Sequence, residues 1–325
     1  MKKLYLFLTL SLLFTSAAAQ LDAVEFEITE GIDNVDVKNA IEKNVAQFIN
    51  SMNRAIIKGK KPSFHKSFIT ESGEKDALKM WKSSPMSCPS SSLKEKCLTM
   101  PGGGYQVRNI PVTVMNAPEK MRDQEIVLNF TAKGVIDNVV VAIDKNKYLD
   151  VIGANISVDD LARRQIIVDF VENFRTAYNR KDIDYLNTVY SDDALIITGK
   201  VIKVKQNSDE ANRLLKEKVV YQKKSKAQYI QDLKKNFRRN KYIDIVFDSL
   251  EVMRHPRYDD IYGVNLKQYW NTSTYNDVGY LFLLIDFKDE TQPCIQVRTW
   301  QPDKYDGKPI DRNEIFTLKS FNIKR

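Results

Sequence analysis

One helical stripe, written twice, limits what this chain can fold into. From Asn34 to Ile57, Val37, Ile41, Val45, Phe48, Met52 and Ile56 recur every three or four positions. That is the period of an amphipathic helix. From Val158 to Tyr178 the pattern returns, with Ile166, Phe170, Phe174 and Tyr178 on one face. Ser157 and Asp160 open the second helix like a capping box, with Asp in the place of Glu. Aligning Phe48 with Phe170 also pairs Met52 with Phe174 and Ala55 with Ala177, an offset of about 120 residues. Solenoids repeat every 20–50 residues or so, so this spacing implies a weak internal duplication instead.

After each long helix the pattern turns to short helix and then strands. In the first half, Tyr105 to Val114, Glu125 to Ala132 and Val135 to Ile143 are rich in Val and Ile, with Lys133-Gly134 as a hairpin turn. In the second half, Ile183 to Tyr190 reads as a short helix, and Ala227 to Phe237 as another with Ser225 near its start. Five strands follow: Ile243 to Met253, Tyr262 to Trp270, Tyr280 to Phe287, Cys294 to Trp300 and Ile315 to Ile323. Apolar parity switches near Asp248 and Ser249, which predicts a β-bulge there. Tyr148 to Ile156 reads as the linker between halves. With 325 residues, 43% of them hydrophobic, the chain has material for two cores, and collagen-like or wholly disordered classes are excluded.

The first nineteen residues read as an export leader. Lys2 and Lys3 precede an apolar run from Leu4 to Phe14, and Ala17-Ala18-Ala19 places cleavage before Gln20. The run is too short to span a bilayer, and no later stretch supplies a membrane anchor. Export permits disulfides. Cys88 and Cys97 flank a short Pro/Ser/Lys-rich segment and are expected to bridge, whereas Cys294, in a strand-like run, is expected to be a buried free thiol. With only His65 and His255 in the chain and no ligand spacing, neither a metal nor any other cofactor is implied.

The run Phe170-Val-Glu-Asn-Phe-Arg-Thr-Ala-Tyr-Asn-Arg-Lys-Asp-Ile-Asp-Tyr-Leu, followed by Tyr190-Ser-Asp-Asp-Ala, resembles the opening of the nuclear-transport-factor-2-like, cystatin-like superfamily. The resemblance covers roughly residues 157–325 and is fainter in the first half. It implies an α+β fold: two cone-shaped domains, each a long N-terminal helix with short helices packed on a strongly curved antiparallel sheet. The organisation expected is leader 1–19, a diverged domain 20–150 with an insertion carrying Cys88 and Cys97, and a domain 151–325. The leader also resembles those of exported Bacteroidota proteins. The superfamily implies either small isomerases and dehydratases or non-catalytic binding modules. Its isomerases use a carboxylate base with Tyr and protonated-acid donors.

The superfamily's dehydratases use a His–Asp pair, and no His here pairs with a carboxylate, so the leading expectation is a non-catalytic binding module of the cell envelope. Its ligand would sit at the cone cavity or the open sheet face, lined by Tyr269, Trp270, Arg298 and Trp300. The enzyme alternative would take Asp286 or His255 as base. A third reading uses the segment from Lys200 to Lys241, with fourteen Lys or Arg against four Asp or Glu, to bind an envelope polyanion. Its contacts would be Lys223, Lys224, Lys234, Lys235, Arg238 and Arg239. The plainer alternative makes these the solvated face of a helix whose apolar stripe is Tyr229 or Ile230, Leu233 and Phe237. Expected partners are an unidentified small molecule or an envelope protein, with a homodimer left open and nucleic acid not expected. Pro101-Gly102-Gly103-Gly104 lacks the Lys-Ser/Thr of a phosphate loop. Asp182, Asp184, Asp192 and Asp193 read as turn acids rather than calcium ligands, and Asp248-Ser249-Leu250 matches a short O-glycosylation pattern.

Overall fold

The computed structural model describes residues 23–100, 103–153, 157–205 and 215–323. The expected leader lies outside them. The chain is α+β, with one hydrophobic core per half. The first half runs β1 (Glu25–Ile28), α1 (Val35–Lys58), α2 (Glu71–Ser83), β2 (Met86–Ser87), β3 (Ser92–Glu95), β4 (Cys97–Thr99), β5 (Tyr105–Val114), β6 (Asp123–Phe130) and β7 (Ile136–Val141). Its main sheet has the order β2-β5-β6-β7, with β4 also on β5, while β1 and β3 pair separately and in parallel. Ile41, Val45, Phe48 and Met52 point the α1 stripe into the core.

The second half runs α3 (Lys145–Ile152), α4 (Val158–Arg180), α5 (Ile183–Thr188), β8 (Tyr190–Lys205), β9 (Leu215–Lys224), α6 (Lys226–Arg239), β10 (Ile243–Arg254), β11 (Ile261–Thr272), β12 (Asn276–Asp286) and β13 (Cys294–Pro302). A six-stranded sheet has the order β10-β11-β12-β13-β8-β9. It is antiparallel except where β13 lies parallel to β8. The register shifts between Phe247 and Ser249, where the parity switch predicts it, and again opposite Leu284 and Ile285. Such bulges strengthen the local twist, and here they help curl the sheet around α4 and α6. Among the described residues no helix is long and apolar enough to cross a membrane.

The two long helices end alike. Gly59 and Lys181 both turn left-handed, at φ 60 and φ 58. The next amide then reaches back to the aligned alanines: Lys60 N to Ala55 O at 3.0 Å, and Asp182 N to Ala177 O at 2.8 Å. Glycine takes this conformation at no steric cost, whereas Lys181 holds it while its Nζ bonds the carbonyls of Asn240 and Lys241.

The helix α4 touches both sheets, and its polar side chains complete two strand edges. On β7 and just past its end, Val141 N donates to Thr176 Oγ1 at 2.8 Å, Ile143 N to Glu172 Oε1 at 2.7 Å, and Arg180 donates to Val139 O. Three residues spaced by four on a helix climb about 6 Å per step. That nearly matches the 6.6 Å or so between alternate strand residues. On β10, Arg175 donates to Ile245 O, and Ile245 N to Asn179 Oδ1 at 3.1 Å. Glu172 and Asn179 are 0% exposed, so these polar groups are affordable only because the strand edges satisfy them.

Several expectations need correction. Cys88 and Cys97 are not bridged: both are buried free thiols. Cys97 is committed to β4 against β5, while the Cys88 thiol turns to Ser90 O at 3.6 Å. Burial raises the pKa of both, that of Cys97 to about 11. Cys294 is a half-buried free thiol on β13. The stretch read as a linker is largely α3, and its Val151 belongs to the second core. Ile315 to Ile323 is no strand. It is a strap with 3-10 turns at Arg312–Glu314 and Leu318–Ser320. Gln301 takes up its backbone groups instead, donating to Glu314 O and accepting from Phe316 N. The strap packs Phe316, Leu318 and Phe321 on the convex sheet face beside Phe282.

Candidate functional site at the cone mouth

Strand alternation sorts the predicted site residues. On β12, Leu281, Leu283 and Ile285 face the second core, whereas Phe282 and Leu284 face the strap. Arg298 lies opposite Leu283 and Trp300 opposite Leu281, so both belong to the concave face. Asp286 lies opposite Ile261 and Cys294, on the convex face. Its Oδ1 accepts from Lys288 N at 2.8 Å. His255 sits in the exposed turn after β10. Its Nδ1 accepts from Arg257 N and Tyr258 N, both at 3.1 Å, and its ring stacks on Tyr258. Neither residue enters the cone.

The cone is filled by its own aromatic side chains. Tyr178 packs edge-on against Phe174, Phe237 and Trp270 at 5.0, 6.1 and 5.7 Å between ring centroids. Its hydroxyl meets those of Tyr229 at 2.7 Å and Tyr190 at 3.2 Å. Burial pushes the Tyr190 and Tyr229 pKa values well up, so both stay protonated donors. Arg298, 5% exposed, lies over the Tyr229 ring at 4.8 Å. Its Nε and Nη1 have no hydrogen-bond partner among the described residues. Trp300 lies against Gly279, where a Cβ would come within 2.7 Å of the indole, so only glycine fits.

A cleft of about 370 Å³ opens where this cone meets the first half. Tyr269 and Trp270 line it from β11, Asp277 from β12 and Asp303 from just past β13, while Pro118 and Met121 come from the first half. Trp270 connects the cleft to the aromatic filling through Tyr178. Burial raises the Asp277 carboxyl to about 6, and the Asp303 charge adds to the shift against hydrogen bonds from Tyr275 and Val278. An aromatic wall beside a carboxyl that titrates near neutrality is an arrangement suited to binding.

Of the four predicted ligand contacts, Tyr269 and Trp270 line the cleft, Arg298 is buried in the cone, and Trp300 is half-buried against Gly279 on the concave face. Sequence reasoning missed Asp277 and Asp303, which stand in short polar stretches that read as turns. Arg298 was legible from alternation, but not the tyrosine cluster around it, whose members come from three separate elements. On α6, Tyr229, Ile230, Leu233 and Phe237 are buried, and Lys234, Lys235, Arg238 and Arg239 are exposed. Lys223 is exposed on β9, and Lys224 pairs with Asp232 at 2.8 Å. Among the described residues, no group of three or more His, Cys, Asp or Glu side chains could hold a metal ion.

No family model matches the chain, and no curated protein does. Solved structures give distant likenesses. A Bdellovibrio bacteriovorus protein is 14% identical, over 65% of this chain and 75% of its own, with a TM-score of 0.34. A nuclear-transport-factor-2-like protein from Cytophaga hutchinsonii is 13% identical, over 43% of this chain and 98% of its own, with a TM-score of 0.32. A scytalone dehydratase-like protein from Novosphingobium aromaticivorans is 8% identical, over 47% of this chain and 91% of its own, with a TM-score of 0.33. Likenesses of this size do not extend to what a chain binds or does.

Proposed function

We propose that this chain is an exported, non-catalytic binding module that holds a small, hydroxyl-rich ligand in the cleft at the cone mouth. The observation that carries this is the filled cone. With Tyr178, Tyr190 and Tyr229 occupying the interior, the aromatic surface that the cone offers to its mouth is that of the half-buried Tyr269 and Trp270. Flat aromatic faces suit the apolar face of a ring, and Asn271, Asp277 and Asp303 supply acceptors for hydroxyls. An enzyme of the isomerase kind needs a carboxylate or His facing an enclosed chamber. Asp286 on the convex face and His255 in a turn do not supply one. Export rests on the leader-like residues 1–19 alone.

We also take the halves 20–150 and 151–325 as two domains, the first a diverged copy. The matching ends of α1 and α4 support this, and the smaller sheet of the first half marks the divergence.

The test is calorimetric titration of the chain from Gln20 onward with a panel of neutral mono- and oligosaccharides. Saturable heat from a panel member, lost in Trp270→Ala and weakened in Asp277→Asn, is the expected result. Conversion of any panel member, seen by mass spectrometry, would replace the reading with an enzymatic one. Binding that survives Trp270→Ala, or no binding across the panel, would remove the cleft from consideration. The exposed basic row on α6 favours polyanion binding as a second reading. It predicts heparin retention that falls steeply with salt and is lost when Lys234, Lys235, Arg238 and Arg239 are reversed to Glu.

A further inference from the structure

A separate pocket of about 380 Å³ lies where the first half meets α3. One wall comes from β3 and β4 and the other from α3, and the floor is β5 at its register shift between Val107 and Ile110. Leu98 on β4 and Leu149 on α3 both line it, at 36% and 52% exposure. They are two of the seven large apolar side chains exposed among the described residues, and single exposed apolar residues normally lie scattered.

The floor is unusual in two ways. Asn109 is left-handed, at φ 61, and its side chain donates to Glu95 Oε2 at 3.1 Å. A non-glycine residue in this conformation persists only where its surroundings hold it, and such residues gather at binding sites. Beside it, Arg108 is 5% exposed. Both of its Nη atoms donate to Glu172, Nη1 at 3.0 Å; Nη1 also donates to Gln106 Oε1 at 3.1 Å and lies 3.6 Å from Asp169 Oδ1, and the guanidinium lies over the Tyr148 ring at 4.3 Å. Arg108 Nε is buried with no partner among the described residues, so the guanidinium keeps a donor unspent.

The rim is basic. Lys94 and Lys96 pair with Glu27 and Glu30 at 2.6 and 2.7 Å. All four side chains are more than half exposed, so these pairs contribute little and exchange readily. Lys145 is the first residue of α3; the helix's own amides are taken by its N-cap carboxylate, Asp144, which accepts from Asn146 N at 3.0 Å and Lys147 N at 3.4 Å, so the charge offered to the pocket is the Lys145 ammonium itself.

We propose that this pocket binds a small amphipathic anion, a carboxylate or sulfonate carrying one or two rings. The rings lie among Leu98, Tyr148 and Leu149, and the charge meets Lys145, with Lys94 and Lys96 at the rim. The volume is at the low end of ligand pockets, roughly 300–1,000 Å³, which suits such a molecule better than a full-length lipid. The assignment is independent of the cone-mouth cleft.

The test titrates the chain from Gln20 onward with 8-anilinonaphthalene-1-sulfonate, followed by its fluorescence, with circular dichroism confirming that each variant stays folded. Its neutral relative N-phenyl-1-naphthylamine serves as the uncharged control. The expected result is one saturable site for the sulfonate, weakened at least about tenfold by Leu98→Ser with Leu149→Ser, and about tenfold by Lys145→Glu. Lys145→Glu leaves the neutral probe unaffected, and Trp270→Ala leaves both probes unaffected. Absence of saturable binding, sulfonate affinity unchanged in the two pocket variants, or loss of binding in Trp270→Ala would each overturn the proposal.

Discussion

Asp277 shows how much one side chain can report. Its carboxyl is raised to about 6 because burial penalises its charge. A raised acid favours the protonated form in the folded state, so stability falls as pH climbs from near 4 through 6, and the loss is complete above that. Asp277→Asn abolishes this titration. The variant should therefore melt with wild type at pH 4 and about 1–2 °C higher at pH 7.5. The gain is about 1 kcal/mol once solvent screening of a partly exposed group is allowed for. Equal shifts at the two pH values, followed by circular dichroism, would sink the account. The same side chain sits in the proposed cleft, so a gain in stability at the expense of ligand affinity is the expected signature of a site.

At the scale of elements, α4 carries the most consequence. Thr176→Val keeps the shape and removes the acceptor of Val141 N–H, in a position that is 1% exposed. Leaving that amide unpaired should cost about 1–3 kcal/mol in urea unfolding, with little change in slope. A midpoint identical to wild type would mean that the strand edge does not depend on the helix. This helix also shows what was legible in the sequence. Its apolar stripe, Phe170, Phe174 and Tyr178, follows from periodicity, as does β5 from its Val and Ile content. The bulge at Asp248-Ser249 follows from parity. What periodicity misreads is the rest of α4. Glu172, Arg175, Thr176 and Asn179 look like a solvated face, yet they are buried against two strand edges that lie far away in the chain. The strap was misread for a related reason. Ile315, Phe316, Leu318 and Phe321 have strand-like content, but their backbone partners come largely from Gln301 and from turns rather than a free strand edge. Half of the candidate site was legible as aromatic strand residues. Its acidic half was not, because Asp277 has turn-like sequence neighbours yet is the second residue of β12, where it pairs with Trp270.

For the whole molecule, the edge of β7 is an obligation that the first half cannot meet by itself. Val127, Val140 and Ala142 form a buried patch on the sheet face away from the first core, and the neighbouring edge amides depend on α4. Residues 20–150 expressed alone should aggregate or fail to unfold cooperatively, because an open edge pairs with other chains. Residues 20–325 should melt in one transition when Trp81 in the first half and Trp270 and Trp300 in the second are probed separately. A monomeric 20–150 fragment with a sharp melt would refute this. A helix shared by two sheets also shapes how such a chain changes over generations. Glu172, Thr176 and Arg180 on α4 answer to the backbone at and just past β7, which neither half can alter alone, so a swap of either half with a homologue would inherit a mismatched seam. The two units, once joined in this way, are held together by a ratchet: drift inside each core stays free, while recombination between them is closed.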